Sequence, residues 1–73
     1  MDLVGHKTNG LESDARLSEF ILAATETELR MISKFLTHCA DEMARMGEAY
    51  DHIHLSDWEL QFKDSPHFVV VRK

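Results

Sequence analysis

Cys39 is the only cysteine in the chain, so no disulfide can close within it. For 73 residues that is a real constraint. A domain this short buries only about 60% of the surface its unfolded form exposes. Natural folds below roughly 80 residues often recruit disulfides, metals or a second subunit. With no disulfide available, a homodimer is the readiest remaining staple. The lone thiol also fits a reducing, cytoplasmic setting. Long apolar runs are missing too. The longest, Phe20 to Ala24, falls far below the roughly 18 residues a membrane span needs. The first ten residues carry acidic Asp2 and an early Gly5, and do not read as a signal peptide.

Basic residues are scarce. Eight Lys and Arg stand scattered against thirteen acids, for a net charge of −5 with histidines neutral. Nucleic-acid binding normally needs a basic stripe that displaces counterions, and this chain has none. An acidic surface suits a basic partner, although it also serves plain solubility. The three glycines are too dispersed to build a phosphate loop. No Ser-His-Asp signature is present, and no spacing sets two carboxylates in a cleft. The chain therefore reads as a non-enzyme that implies no cofactor. Hydrophobic residues at 44% and charged residues at 29% describe one globular domain.

The organisation reads as β-β-α-β-β, an α+β domain with one long amphipathic helix on one face of a three- or four-stranded sheet. Asp2 to His6 reads as a short edge strand. Asn9-Gly10 is a turn dipeptide and Ser13-Asp14 a second break, so residues 1–16 form a flexible or hairpin N-terminus. Arg16 to Ala24 reads as an inner strand, because both of its alternating faces are partly apolar. A helix beginning near Asp14 is the rival reading. Thr25-Glu26-Thr27-Glu28 is a capping box. Behind it, Leu29, Ile32, Leu36, Cys39, Met43 and Met46 recur at steps of three and four, widened by Phe35 and Ala40, as one buried face. Glu26–Arg30 and Asp41–Arg45 stand four apart in the favourable order. Gly47 supplies the stop, predicting a helix over Glu26 to Met46. Asp51 to Leu55 alternates as a strand, with Ile53 and Leu55 inward and His52 and His54 outward. Ser56 to Pro66 reads as a loop or irregular strand, and Phe68 to Arg72 as a β-branched strand. Strands two and three, if parallel, need a right-handed crossover.

His52 and His54 form an H-x-H pair on one strand face, a pattern that can ligate zinc or iron. His38 and Glu42, four apart on the helix, are further candidates, but no spacing specifies a third and fourth ligand. The competing reading is a polar outer sheet face, with His52, His54 and Trp58 making cross-strand or partner contacts. Cys39 and His38 point about 100° apart on a helix, so they are no nucleophile–base pair. Met31, Met43 and Met46 suit core filling or a soft binding groove. Tyr50 and Trp58 flank the H-x-H strand, where aromatics serve either as interface anchors or as a lid on a small core.

Three stretches carry a family resemblance. They are Thr25-Glu26-Thr27-Glu28-Leu29 continuing through Phe35-Leu36 to Cys39-Ala40-Asp41-Glu42-Met43, then Asp51-His52-Ile53-His54-Leu55-Ser56-Asp57, and the closing Phe68-Val69-Val70-Val71-Arg72. Together they resemble the immunity protein 32 family of bacterial polymorphic-toxin systems, over roughly Leu17 to Arg72. The sharpest element is the H-x-H-Leu-x-Asp strand directly after a capped helix. The resemblance implies a small cytoplasmic bacterial protein that binds and neutralises a cognate toxin. It lends no catalytic residues, and by motif position it carries over His52, His54 and Asp57 as structural or contact residues. The expected partner surface is His52, His54, Asp57, Trp58 and Glu59. Beside it lies an acidic stretch, Glu48, Asp51, Asp57, Glu59 and Asp64 against Lys63, which suits a basic toxin. Two alternatives stand beside this one: a small metal- or ligand-binding module using His52 and His54, and a structural subunit of a larger complex.

Overall fold

The computed structural model describes residues 1–7 and 17–73. The turn at Asn9-Gly10 and the break at Ser13-Asp14 lie outside the described residues. The elements run β1 (Asp2–Lys7), β2 (Leu17–Ala23), α1 (Glu26–Met46), a 3-10 turn (Gly47–Ala49), β3 (His52–His54), a single helical turn α2 (Leu55–Trp58), a second 3-10 turn (Leu60–Phe62) and β4 (Val69–Val71). No helix among the described residues is long and apolar enough to cross a membrane.

The β-β-α-β-β order and the α+β class are as the sequence predicts, but the sheet is divided. β1 pairs antiparallel with β2, from Asp2 opposite Ala23 to Lys7 opposite Leu17. β3 pairs antiparallel with β4, from His52 opposite Val71 to His54 opposite Val69. Among the described residues the strands therefore form two two-stranded sheets and not one sheet of three or four. β2 has β1 as its one ladder partner among the described residues and is not an inner strand. The short β3–β4 ladder has a local cause. After three residues the chain turns into α2, and the Leu55 amide still donates to the Phe68 carbonyl at 2.9 Å. Three residues rise only about 10 Å, a third of the roughly 31 Å that α1 spans.

α1 begins and ends where its signals say. The Glu28 amide donates to the Thr25 hydroxyl at 3.1 Å, and the Thr25 amide donates to the Glu28 carboxylate at 2.8 Å. Two orphan amides of the first turn are thereby satisfied. Gly47 ends the helix at φ 58 and ψ −131, a positive-φ conformation that favours glycine, and its amide donates to the Met43 carbonyl. The Thr25 amide and the Met1 amino group hold the Glu28 carboxyl below its usual range. A lowered folded-state value stabilises the fold above the unfolded value, and that contribution fades as pH falls through the lowered one. Thr25→Ala is expected to cost about 0.5–2 kcal/mol in urea denaturation. A cost near zero would mean the box contributes nothing to stability.

On the helix surface, the Arg30 guanidinium meets Glu26 at 2.6 Å as expected. Arg45, however, pairs with Glu42 and not with Asp41. Both acids are within reach on one helical face, three and four residues away, and the nearer one takes the guanidinium.

The buried face of α1 is narrower than the sequence suggests and rotated from it. Ile32, Phe35 and Cys39 enter the core with Leu55 and Phe62. Met1, Leu22, Met31, Ile53, Trp58, Phe68 and Val70 pack around them. Leu29 and Leu36 instead remain 48% and 45% exposed, and Met46 is exposed as well. The expected loop over Ser56 to Pro66 contains α2 and a 3-10 turn, because Leu55 and Phe62 anchor it to the core.

Candidate functional site: the outer face of the second sheet

Alternation along β3 and β4 separates two faces. Ile53 and Val70 turn toward the core. His52, His54, Val69 and Val71 occupy the other face, where Val71 is 63% exposed. Tyr50 fixes this sheet from the core side. Its ring is buried, and its hydroxyl donates to the Val70 carbonyl at 2.8 Å. Burial pushes the Tyr50 phenol up, reinforced by the neighbouring Cys39 thiol. Tyr50→Phe is expected to cost about 0.5–1.5 kcal/mol and to loosen β4. Amide exchange that is no faster at Val69–Val71 in the variant would contradict that coupling.

The two histidines of the H-x-H pair lie together, with a third beside them. The His52 and His54 rings are 5.0 Å apart and edge-on, and the His54 ring is 6.1 Å from that of His67. His52 is exposed and His54 half-buried. The Asp51 carboxylate lies 2.9 Å from His52 Nδ1. His67 was not among the sequence candidates. Its signal is parity, because it stands two residues before Val69 and four before Val71, on the same face of the extended chain. A hollow of about 200 Å³ adjoins it, lined by Leu3, Phe20, His67, Phe68 and Val69.

Other expected site residues go elsewhere. The ring contacts of Trp58 are with Phe35, at 5.7 Å, and with His38, stacked at 6.0 Å. Trp58 thus lies half-buried on the helix side of α2. Asp57 is exposed on α2, and Glu59 is half-buried just past its end. Among the described residues, no group of three His, Cys, Asp or Glu side chains is placed to hold a metal ion. His38 lies against Trp58 and Glu42 against Arg45, both away from the histidine face. Cys39 is 1% exposed. Burial pushes its thiol up, only partly opposed by the Tyr50 hydroxyl, and this favours the unreactive protonated form.

The arrangement defines a small α+β domain in which one helix covers the inner side of a short β-hairpin-like sheet and leaves a face of histidines and valines open. Residues 19–73 match the model of the immunity protein 32 family, and the chain belongs to that family. The match takes in β2, α1 and everything after it. No curated protein and no solved structure matches the chain.

Proposed function

We propose that this chain is an immunity protein that acts by binding, holding a cognate toxin inactive without chemistry of its own. Membership of the immunity protein 32 family supports this reading. The observation that carries the location of the binding surface is the open face of β3–β4. Val69 and Val71 supply apolar contact there, and His52, His54 and His67 supply groups that both donate and accept hydrogen bonds. Asp51, beside His52, extends this surface with negative charge, and Asp57 is exposed on the neighbouring α2. Glu48 and Asp64 are exposed in the neighbouring segments. With a chain net charge of −5, this surface suits a basic toxin and speeds encounter with it. Trp58 is committed to Phe35 and His38, away from this face.

The test is co-expression, in the cytoplasm of a bacterial host, with any toxin found encoded beside the gene. Cells are expected to survive and the two proteins to co-purify, with association slowing as salt rises past the screening range. A folded protein that neither protects the cell nor binds would end this reading. It would favour the two remaining ones, a metal-binding module on His52 and His54 or a subunit of a larger complex.

A further inference from the structure

We infer that His52, His54 and His67 form a binding site for a divalent transition-metal ion such as zinc, with Asp51 orienting His52. This goes beyond the toxin-binding reading and does not depend on it.

The spacing of the rings carries the inference. Residues two apart in a strand share a face, so the H-x-H pattern sets His52 and His54 side by side. A zinc ion sits about 2.0–2.1 Å from an imidazole nitrogen. The ring centre lies about 1.1 Å behind that nitrogen, so two imidazoles at a tetrahedral angle have centres about 5.2 Å apart. The His52 and His54 rings are 5.0 Å apart. Their planes cross at 79°, so they are not stacked face to face, an arrangement in which their nitrogens could not converge on one ion.

The third imidazole comes from the far side of the hairpin-like pair. The His67 ring is 6.1 Å from that of His54, about 1 Å wider than the zinc spacing. His67 is exposed and stands before the first ladder residue of β4, Val69. Exposed side chains change rotamer within nanoseconds, so turning the ring closes that gap. In the resting arrangement no three ligands among the described residues meet at one point. The paired rings form the first half of the site, and the ion draws His67 in.

Asp51 supplies a second, independent feature. Its carboxylate lies 2.9 Å from His52 Nδ1. A carboxylate only accepts, so Nδ1 carries the hydrogen, and in the neutral ring Nε2 keeps the lone pair. A carboxylate behind an imidazole is the usual outer support of a metal-ligating histidine, fixing its tautomer and raising its basicity. Three imidazoles suit zinc, copper or nickel, whereas magnesium and calcium take oxygen ligands. The fourth position of a tetrahedral ion is left to water. Other soft donors are engaged elsewhere: Cys39 is buried in the core, and His38 is stacked on Trp58.

The test titrates zinc into the full chain, with no toxin present, by calorimetry and by NMR of the imidazole protons. The wild type is expected to take up one ion per chain and to saturate well below about 1 mM zinc. The His52, His54 and His67 signals are expected to shift together while that of His38 stays. His54→Ala is expected to weaken binding at least ~100-fold, and His67→Ala at least ~10-fold. Asp51→Asn is expected to weaken it about 10-fold, the effect of losing an outer partner. Magnesium is expected to move none of these signals. The shifts are read on the wild type, so the test survives a variant that fails to fold. Three results would overturn the proposal: no saturation below about 1 mM zinc, a His38 signal that moves with the others, or a folded variant of the three that binds zinc as the wild type does. Failure here leaves the toxin reading standing, because the co-expression assay adds no metal; failure of that assay likewise leaves zinc binding standing.

Discussion

Phe35→Ala is expected to lose about 3–5 kcal/mol of stability, whereas Leu36→Ala, one residue further on, loses less than about 1 kcal/mol. Phe35 is fully buried and lies at the junction of the helix with the second half of the chain. Its ring is 5.7 Å from that of Trp58 and meets the Phe68 ring edge-on at 6.1 Å. Truncation removes the transfer energy of the ring, leaves a cavity, and frees Trp58 and Phe68 at once. A 73-residue domain has roughly 4–11 kcal/mol of total stability. The loss therefore takes much of what the chain has, and a population of unfolded protein should be visible without denaturant. Leu36 touches solvent over almost half its surface and leaves no cavity. Urea midpoints on the two variants decide the matter. Equal costs would mean that the buried face of α1 has been assigned to the wrong flank.

The second large effect concerns binding. His54→Ala combined with Val71→Glu is expected to weaken toxin affinity about 100-fold, or about 2.7 kcal/mol, with the fold retained. His54 is the middle ring of the three on the open face, between His52 and His67. Val71 is its most exposed apolar residue. Removing the central imidazole takes away a donor and an acceptor, and a carboxylate at Val71 replaces apolar contact with a charge that must be desolvated on binding. Asp57→Ala alone is expected to act mainly on the association rate and its salt dependence, as charges at an interface rim do. The variant pair must be compared by circular dichroism first, because among the described residues β3 and β4 have only each other for ladder partners.

The parts of this fold legible in the sequence are those set by local chemistry. Thr25, Glu28 and Gly47 define both ends of α1 because caps satisfy backbone groups within a few residues. Alternation placed Ile53 inward with His52 and His54 opposite, and the strand needs nothing remote to do so. The misreadings arose where two local solutions are equivalent. Leu29 and Leu36 fit a three–four repeat as well as Ile32, Phe35 and Cys39 do, and only the tertiary partners, Leu55 and Phe62, choose between them. Asp41 and Glu42 both reach Arg45. α2 is too short to be a helix by itself; it forms because Leu55 is tied to Phe68 and sunk in the core. The same packing explains why Trp58, next to the H-x-H strand in sequence, ends on the far side from it. His67 joins the site only because β4 runs back beside β3.

The central claim is that a toxin is held on the open face of β3–β4. The most direct measurement is a calorimetric titration of a candidate toxin, identified from the neighbouring genes, into the wild type and into the folded His54→Ala/Val71→Glu variant. The account predicts saturable binding by the wild type and an affinity about 100-fold weaker for the variant. Equal affinities, or no binding by the folded wild type, would contradict it.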